Sequence, residues 1–241
     1  MSFSGWPSID SQPASKAVRE YLRSTLLSVR QNPISDSFQL VLDIAAGRRV
    51  LDVGAVGHNE HSEVSVNWKH RLLANASSYC LGIDIVEPSV DYLQQKGYNI
   101  QLCDATSELY LGRRFDIIFA GDVIEHVDSP HLLMSFVRRH LEPNGKFFVS
   151  TPNPFFVGNL KTLSADSLFL ANAEHVSWIT PTCALEIARR SQMILSSYWH
   201  VHDLRAGFTK QFITRLLSSV GFYECEFLAR SFLYEFSLYD S

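Results

Sequence analysis

Cysteine is scarce in this chain: Cys80, Cys103, Cys183 and Cys225 are four in 241 residues and lie far apart. That spacing argues against a disulfide framework, and with three of the four in apolar stretches it predicts buried free thiols in a reducing, cytoplasmic setting. No apolar run approaches the ~18 residues that cross a bilayer, and "MSFSGWPSIDSQPASK" lacks the unbroken apolar segment of a secretory signal. Neither a membrane span nor export is expected. Positive charge is short as well, with 21 Lys and Arg against 25 Asp and Glu for a net charge of -4. A polyanion such as double-stranded nucleic acid is therefore a poor fit as the main partner. Internal repeats, low-complexity tracts and long Gly/Pro/Ser linkers are missing too, so one domain is expected. Its 46% hydrophobic residues suffice for a sizeable core.

What is present alternates. "ASKAVREYLRSTLLSVRQN" carries Val18, Leu22, Leu26 and Val29 at helical spacing. "SDSFQLVLDIAAG" predicts a second helix, capped by Ser35 or Asp36 and stopped at Gly47. Strands are predicted over 48–53, 79–85, 98–103, 114–121 and 145–152, with helices such as "PSVDYLQQKG" and "SPHLLMSFVRRHLEPNG" between them. Strand and helix in alternation make a parallel sheet covered on both faces. The C-terminal third predicts helices in "PTCALEIARRSQ" and "TKQFITRLLSSVG". Strands are predicted in "MILSSYWHVH" and "FYECEFLARSFLYEF". The expected fold is α/β and Rossmann-like, a seven-stranded, mostly parallel sheet with helices on both faces and a C-terminal antiparallel hairpin strand.

"RRVLDVGAVGHNE" ends an apolar strand on Asp52, Gly54, Ala55 and Gly57. In an open α/β sheet ligands sit beyond the carboxyl ends of the strands, where glycine lets backbone approach them closely. "LGIDI" then brings Asp84 and Ile85 to the end of the next strand, and "LCDAT" brings Asp104 and Ala105 to the end of the third. A carboxylate at the second position can accept from two ribose hydroxyls; one at the third can accept from an exocyclic amine. A dinucleotide site is not expected, because G-x-G-x-x-G is missing and Glu60 and Glu63 would repel a diphosphate.

Taken together, "VLDVGAVG", "GIDI", "LCDAT", "FDIIFAGDVIEHV" and "LEPNGKFFVSTPNP", in this order, resemble the class I S-adenosylmethionine-dependent methyltransferases, ubiquinone-type O-methyltransferases among them. The resemblance implies that S-adenosyl-L-methionine binds at Asp52, Gly54, Ala55, Gly57, Asp84, Ile85, Asp104, Ala105 and Gly121. Asp84 would take the ribose, Asp104 the adenine, and Asp52 with the amides of residues 54–57 the methionine end. Val56 and His58 stand where the family's usual first motif has glycines. It further implies that residues 47–241 form the cofactor-binding core, that the helices of residues 1–46 cover the active site, and that residues 153–180 form an insert or lid.

"AGDVIEHVDSP" sets Asp122, Glu125 and His126 just past the fourth strand, the first two spaced to face one way in a helical turn. The resemblance leaves two roles open for these catalytic candidates. With His175 of "NAEHVSW" they could bind Mg²⁺, Mn²⁺ or Zn²⁺, or His126 could serve as general base. His131 and His140 are expected on a solvated helix face, and His200 and His202 on the sheet surface. The expected activity is methyl transfer, to oxygen first of all, on a small-molecule or glycan acceptor, with small RNA as an open alternative. The competing reading is a non-catalytic nucleoside-binding or scaffold protein. Oligomeric state is left open.

Overall fold

The computed structural model describes residues 5–57, 62–202 and 226–239. Seven strands form one sheet: β1 (Arg49–Val53), β2 (Tyr79–Asp84), β3 (Ile100–Leu102), β4 (Phe115–Gly121), β5 (Leu141–Pro152), β6 (Met193–Val201) and β7 (Ser231–Leu238). Their order is β3-β2-β1-β4-β5-β7-β6. The first five run parallel, and β7 is antiparallel to both β5 and β6. Helices α1 (Lys16–Val29), α2 (Ser37–Ala45), α3 (Lys69–Ala76), α4 (Glu87–Gln95), α5 (Pro130–His140), α6 (Val157–Asp166) and α7 (Pro181–Arg190) complete the described fold.

Local chemistry sets the helix ends. The Asp36 carboxylate accepts from the amides of Phe38 and Gln39 at the start of α2, and Gly47, at φ +70°, lets the chain leave it. Ser129 caps α5 ahead of Pro130, while Arg138, Arg139 and His140 sit in its last turn.

Strand parity then divides the core. Leu51 and Val53 of β1, with Ile118 and Val149, face α5 and α7 through Leu133, Phe136, Val137 and Ala184. Val50, Ile117 and Phe148 face the other way, onto Val41 of α2 and Leu73 of α3. Burying one such side chain completely contributes roughly 1.5–3 kcal/mol. Because alternate residues share a face, Asp52 goes with Val50, and Gly82 and Asp84 go with Cys80. All three therefore stand on the α3 side, and this parity builds the site.

Several expectations change. β5 begins at Leu141 rather than 145, and β3 shrinks to three residues. The last strand starts only at Ser231, after a short 3₁₀ turn at Glu226–Leu228. The helix expected in "TKQFITRLLSSVG", together with His58, His61 and Cys225, lies outside the described residues. His140 is fully buried, accepting from the Leu111 amide at 2.9 Å and facing the Phe136 carbonyl at 2.8 Å. His131 is part-buried, 2.9 Å from the Ser191 hydroxyl. His200 and His202 are buried as well, the His200 ring lying against those of Tyr198 and Phe232, while residues 31–34 pair along the edge of β6 through its Tyr198 and His200 carbonyls. Cys80 and Cys103 are buried and free, but Cys183 is exposed. Among the described residues no helix is long and apolar enough to cross a membrane.

Tyr234 is the largest fully buried side chain, and its hydroxyl donates to the Ile179 carbonyl at 2.8 Å. Tyr234→Phe leaves that carbonyl unpaired and is expected to cost about 1–2 kcal/mol in urea unfolding at unchanged m. No loss of stability would show that the bond contributes nothing.

Candidate active site

The turn after β1 is built for closeness. Gly54 sits at φ +76°, and a Cβ there would lie 2.6 Å from Val123 Cγ2, so both conformation and space demand glycine. The amides of Gly54 and Ala55 donate to the Ile83 carbonyl at 2.9 and 3.2 Å, and the Val56 amide donates to Asp84 Oδ2 at 3.0 Å. The amides of Ile85 and Val86 reach Asp84 Oδ1 at 2.8 and 3.1 Å. Three backbone donors thus fix this carboxylate at the rim, with lone pairs left for a ligand. The Val56 side chain points inward among Trp68, Val90 and Leu93, which reconciles a valine with a turn that usually carries glycine.

This rim encloses a cavity of about 450 Å³, within the range of small-molecule sites. Asp52, Gly54, Ala55, Gly57, Asp84, Ile85 and Gly121 line it, as do Asp122 and His126. Asp104 and Ala105 do not. The Asp104 carboxylate turns back on its own loop, accepting from the amide and hydroxyl of Thr106 at 2.7 Å each, and Ala105 is buried in the core. Two strand-end acids, rather than the three expected, therefore share the crevice. The helices of residues 1–46 are placed differently from expectation too: none of their described residues lines this cavity, and α1 packs on α7 and β6 around a separate one. Phe38 of α2 does stand against Phe119, a cavity-wall residue, with ring centroids 5.8 Å apart.

The start of α3, which sequence reading passed over, supplies a wall. Trp68 donates through its indole nitrogen to the Ala55 carbonyl at 2.8 Å, and Lys69 reaches to 3.6 Å from Asp122 Oδ2. His70, buried, places Nδ1 3.1 Å from Asp52 Oδ2. This contact requires Gly82, because a Cβ there would stand 2.7 Å from the His70 ring. The signal in the sequence was a basic pair, "KH", opening an amphipathic segment, which without parity and a facing glycine reads as ordinary surface.

Across the cavity, residues 122–126 form a turn rather than the helical turn expected, with Asp122 left-handed at φ +58°. Asp122 accepts from the Ser150 hydroxyl at 3.0 Å. Glu125 instead points into the protein and is fully buried, and neither of its oxygens has a hydrogen-bond partner among the described residues. Burial lifts its pKa to about 7; its own amide is the largest opposing influence, the charge of Asp122 adds to the rise, and the neighbouring Thr151 hydroxyl and Lys69 oppose it. The Glu125 carbonyl accepts from the amides of Val176 and Ser177 at 2.9 and 3.3 Å, which draws the 153–180 segment over the turn. His175 comes to lie edge-on to His126, with ring centroids 4.8 Å apart. Potential ligand atoms of Glu125, His126 and His175 all fall within 4.8 Å of one another; Asp122 is not in that group.

A doubly wound sheet in this order, with a glycine turn after β1 and a pinned acid after β2 facing one cavity, is the architecture of the class I, Rossmann-like methyltransferases. The chain matches the family model described as "Methyltransferase domain" over residues 26–223. It belongs to that family. It is 30% identical over 123 residues to a ubiquinone biosynthesis O-methyltransferase of Coxiella burnetii, an alignment covering 48% of this chain and 49% of the relative. The chain thus spans about half the length of that curated relative. Among solved structures, it resembles a TehB-like methyltransferase from Corynebacterium glutamicum (TM-score 0.54, 15% identity, 92% and 96% of the two chains). It also resembles the magnesium protoporphyrin IX methyltransferase of Synechocystis with bound SAH (TM-score 0.54, 16% identity, 97% and 93%). At such identities these two attest the fold alone.

A carboxyl whose folded pKa is raised binds more protons folded than unfolded between its ordinary value and about 7, so its contribution to stability falls as pH rises through that window. Glu125→Gln is expected to be more stable than the parent at pH 8, by about 3 kcal/mol, and nearly equal to it near pH 4.5. Chemical unfolding at both pH values measures this, and a pH-independent difference would contradict a buried, proton-holding Glu125.

Proposed function

We propose that this enzyme methylates a hydroxyl of a small-molecule or glycan acceptor, with His126 taking the acceptor's proton. The observation that carries this reading is that His126 lines the same cavity as Asp52 and Asp84, so a base and a nucleoside site face one crevice. The cavity's size, its glycine turn and its fixed acid at the end of β2 suit S-adenosylmethionine, with the ribose at Asp84 and the methionine end near Asp52. When bound, the cofactor supplies a methyl group already activated on a sulfonium. What remains for the protein is to align the acceptor, exclude water and remove one proton. Residues 153–180 are tied to the turn through the Glu125 carbonyl and pack Trp178 against Phe169 and His175. Although none of their described residues lines the cavity, that tie beside His126 is what supports reading them as a lid. The ubiquinone biosynthesis relatives, named as O-methyltransferases, support oxygen as the accepting atom.

One observation favours a second reading of the same turn, in which Glu125, His126 and His175 hold a divalent cation. The buried Glu125 carboxylate has no hydrogen-bond partner among the described residues, and its neighbours supply two imidazoles, a donor set that fits Mg²⁺, Mn²⁺ or Zn²⁺. Such an ion would supply a lowered pKa for a bound hydroxyl.

Incubation with S-adenosylmethionine and a panel of phenols, sugars, small RNAs and amines tests the proposal. Methylated hydroxyls are expected, with the rate in His126→Ala falling about 10²-fold or more. Transfer to amines alone, or an unchanged rate in His126→Ala, would overturn it. Full activity after removal of divalent ions by EDTA would dismiss the cation and leave His126 as the base.

A further inference from the structure

The two ends of S-adenosylmethionine ask for different partners, and the methionine end carries both an ammonium and a carboxylate. The turn after β1 has little left for the carboxylate, because the amides of Gly54 and Ala55 are spent on the Ile83 carbonyl and that of Val56 on Asp84. Among the described residues that line the cavity, Lys69 is the one Lys or Arg. Its ammonium stands 3.6 Å from Asp122 Oδ2 and lies over the rings of Phe38 and Phe119 at 5.9 and 5.8 Å. Both it and Asp122 are about half exposed, so a loose ion pair with three donors on one side leaves room for a second carboxylate.

The next residue turns inward. His70 Nδ1 lies 3.1 Å from Asp52 Oδ2, and the ring is wedged between Gly82 and Trp68, whose centroid is 5.2 Å away. One oxygen of Asp52 is thereby engaged, while Asp52 itself lines the cavity. Consecutive residues at the start of a helix point about 100° apart, and here one reaches the cavity while the other braces its floor.

We propose that the first turn of α3 clamps the methionine end of the cofactor. Lys69 pairs with the carboxylate, and His70 is a positioning residue that holds Asp52 in place for the ammonium. The proposal rests on cofactor binding at this cavity.

Calorimetric titration of three ligands tests it: S-adenosylhomocysteine, its decarboxylated analogue, and 5′-methylthioadenosine, which has neither charged group. Lys69→Met is expected to weaken S-adenosylhomocysteine about tenfold and leave the other two unchanged. His70→Leu is expected to weaken both amine-bearing ligands and spare 5′-methylthioadenosine, and His70→Asn, which restores a donor near Nδ1, to recover most of the loss. Equal weakening of all three ligands, or of none, would overturn the clamp. Failure of the unaltered protein to bind any of the three would instead strike at the cavity as the cofactor site.

Discussion

The Asp84 carboxylate ties the end of β2 to the turn after β1, and the site is organised around that tie. Three backbone amides from two loops converge on its oxygens, so neither loop can move without breaking charge-assisted bonds worth about 1.5–3 kcal/mol each. A group held this way is positioned before any ligand arrives, which reduces the ordering cost of binding.

Parity extends the effect. Asp52, Gly82 and Asp84 share the α3 side of the sheet, so the missing side chain at residue 82 opens the space that His70 fills on its way to Asp52. The opposite wall follows a different logic. Glu125 is buried behind the rim, and its backbone carbonyl holds the segment that brings in His175. One wall is thus built of fixed charges, and the other presents the His126 imidazole in front of a buried carboxyl that titrates near neutrality, an arrangement suited to binding on one side and proton removal on the other.

Much of this was legible in the sequence. Strand-helix alternation and the caps at Asp36 and Gly47 are local signals, and the order of elements with Asp52, Gly54 and Asp84 at strand ends followed from them. What escaped depended on side-chain direction across distant segments. Asp104 occupies a strand end like the other two, but its loop offers Thr106 at once, and the local bonds win. His140 and His200 read as surface on helical and alternating patterns, but Tyr110 and the Leu111 amide close over the first and the rings of Tyr198 and Phe232 flank the second. Lys69 and His70 drew no notice, since their meaning arises from partners on β1, β2 and the turn after β4.

The most direct measurement of the central claim is the affinity of Asp84→Ala for S-adenosylhomocysteine, read by calorimetry beside its far-ultraviolet circular dichroism. Affinity reduced tenfold or more with the native spectrum retained is the result that a nucleoside held at this carboxylate requires. Unchanged affinity would contradict it and place the cofactor elsewhere.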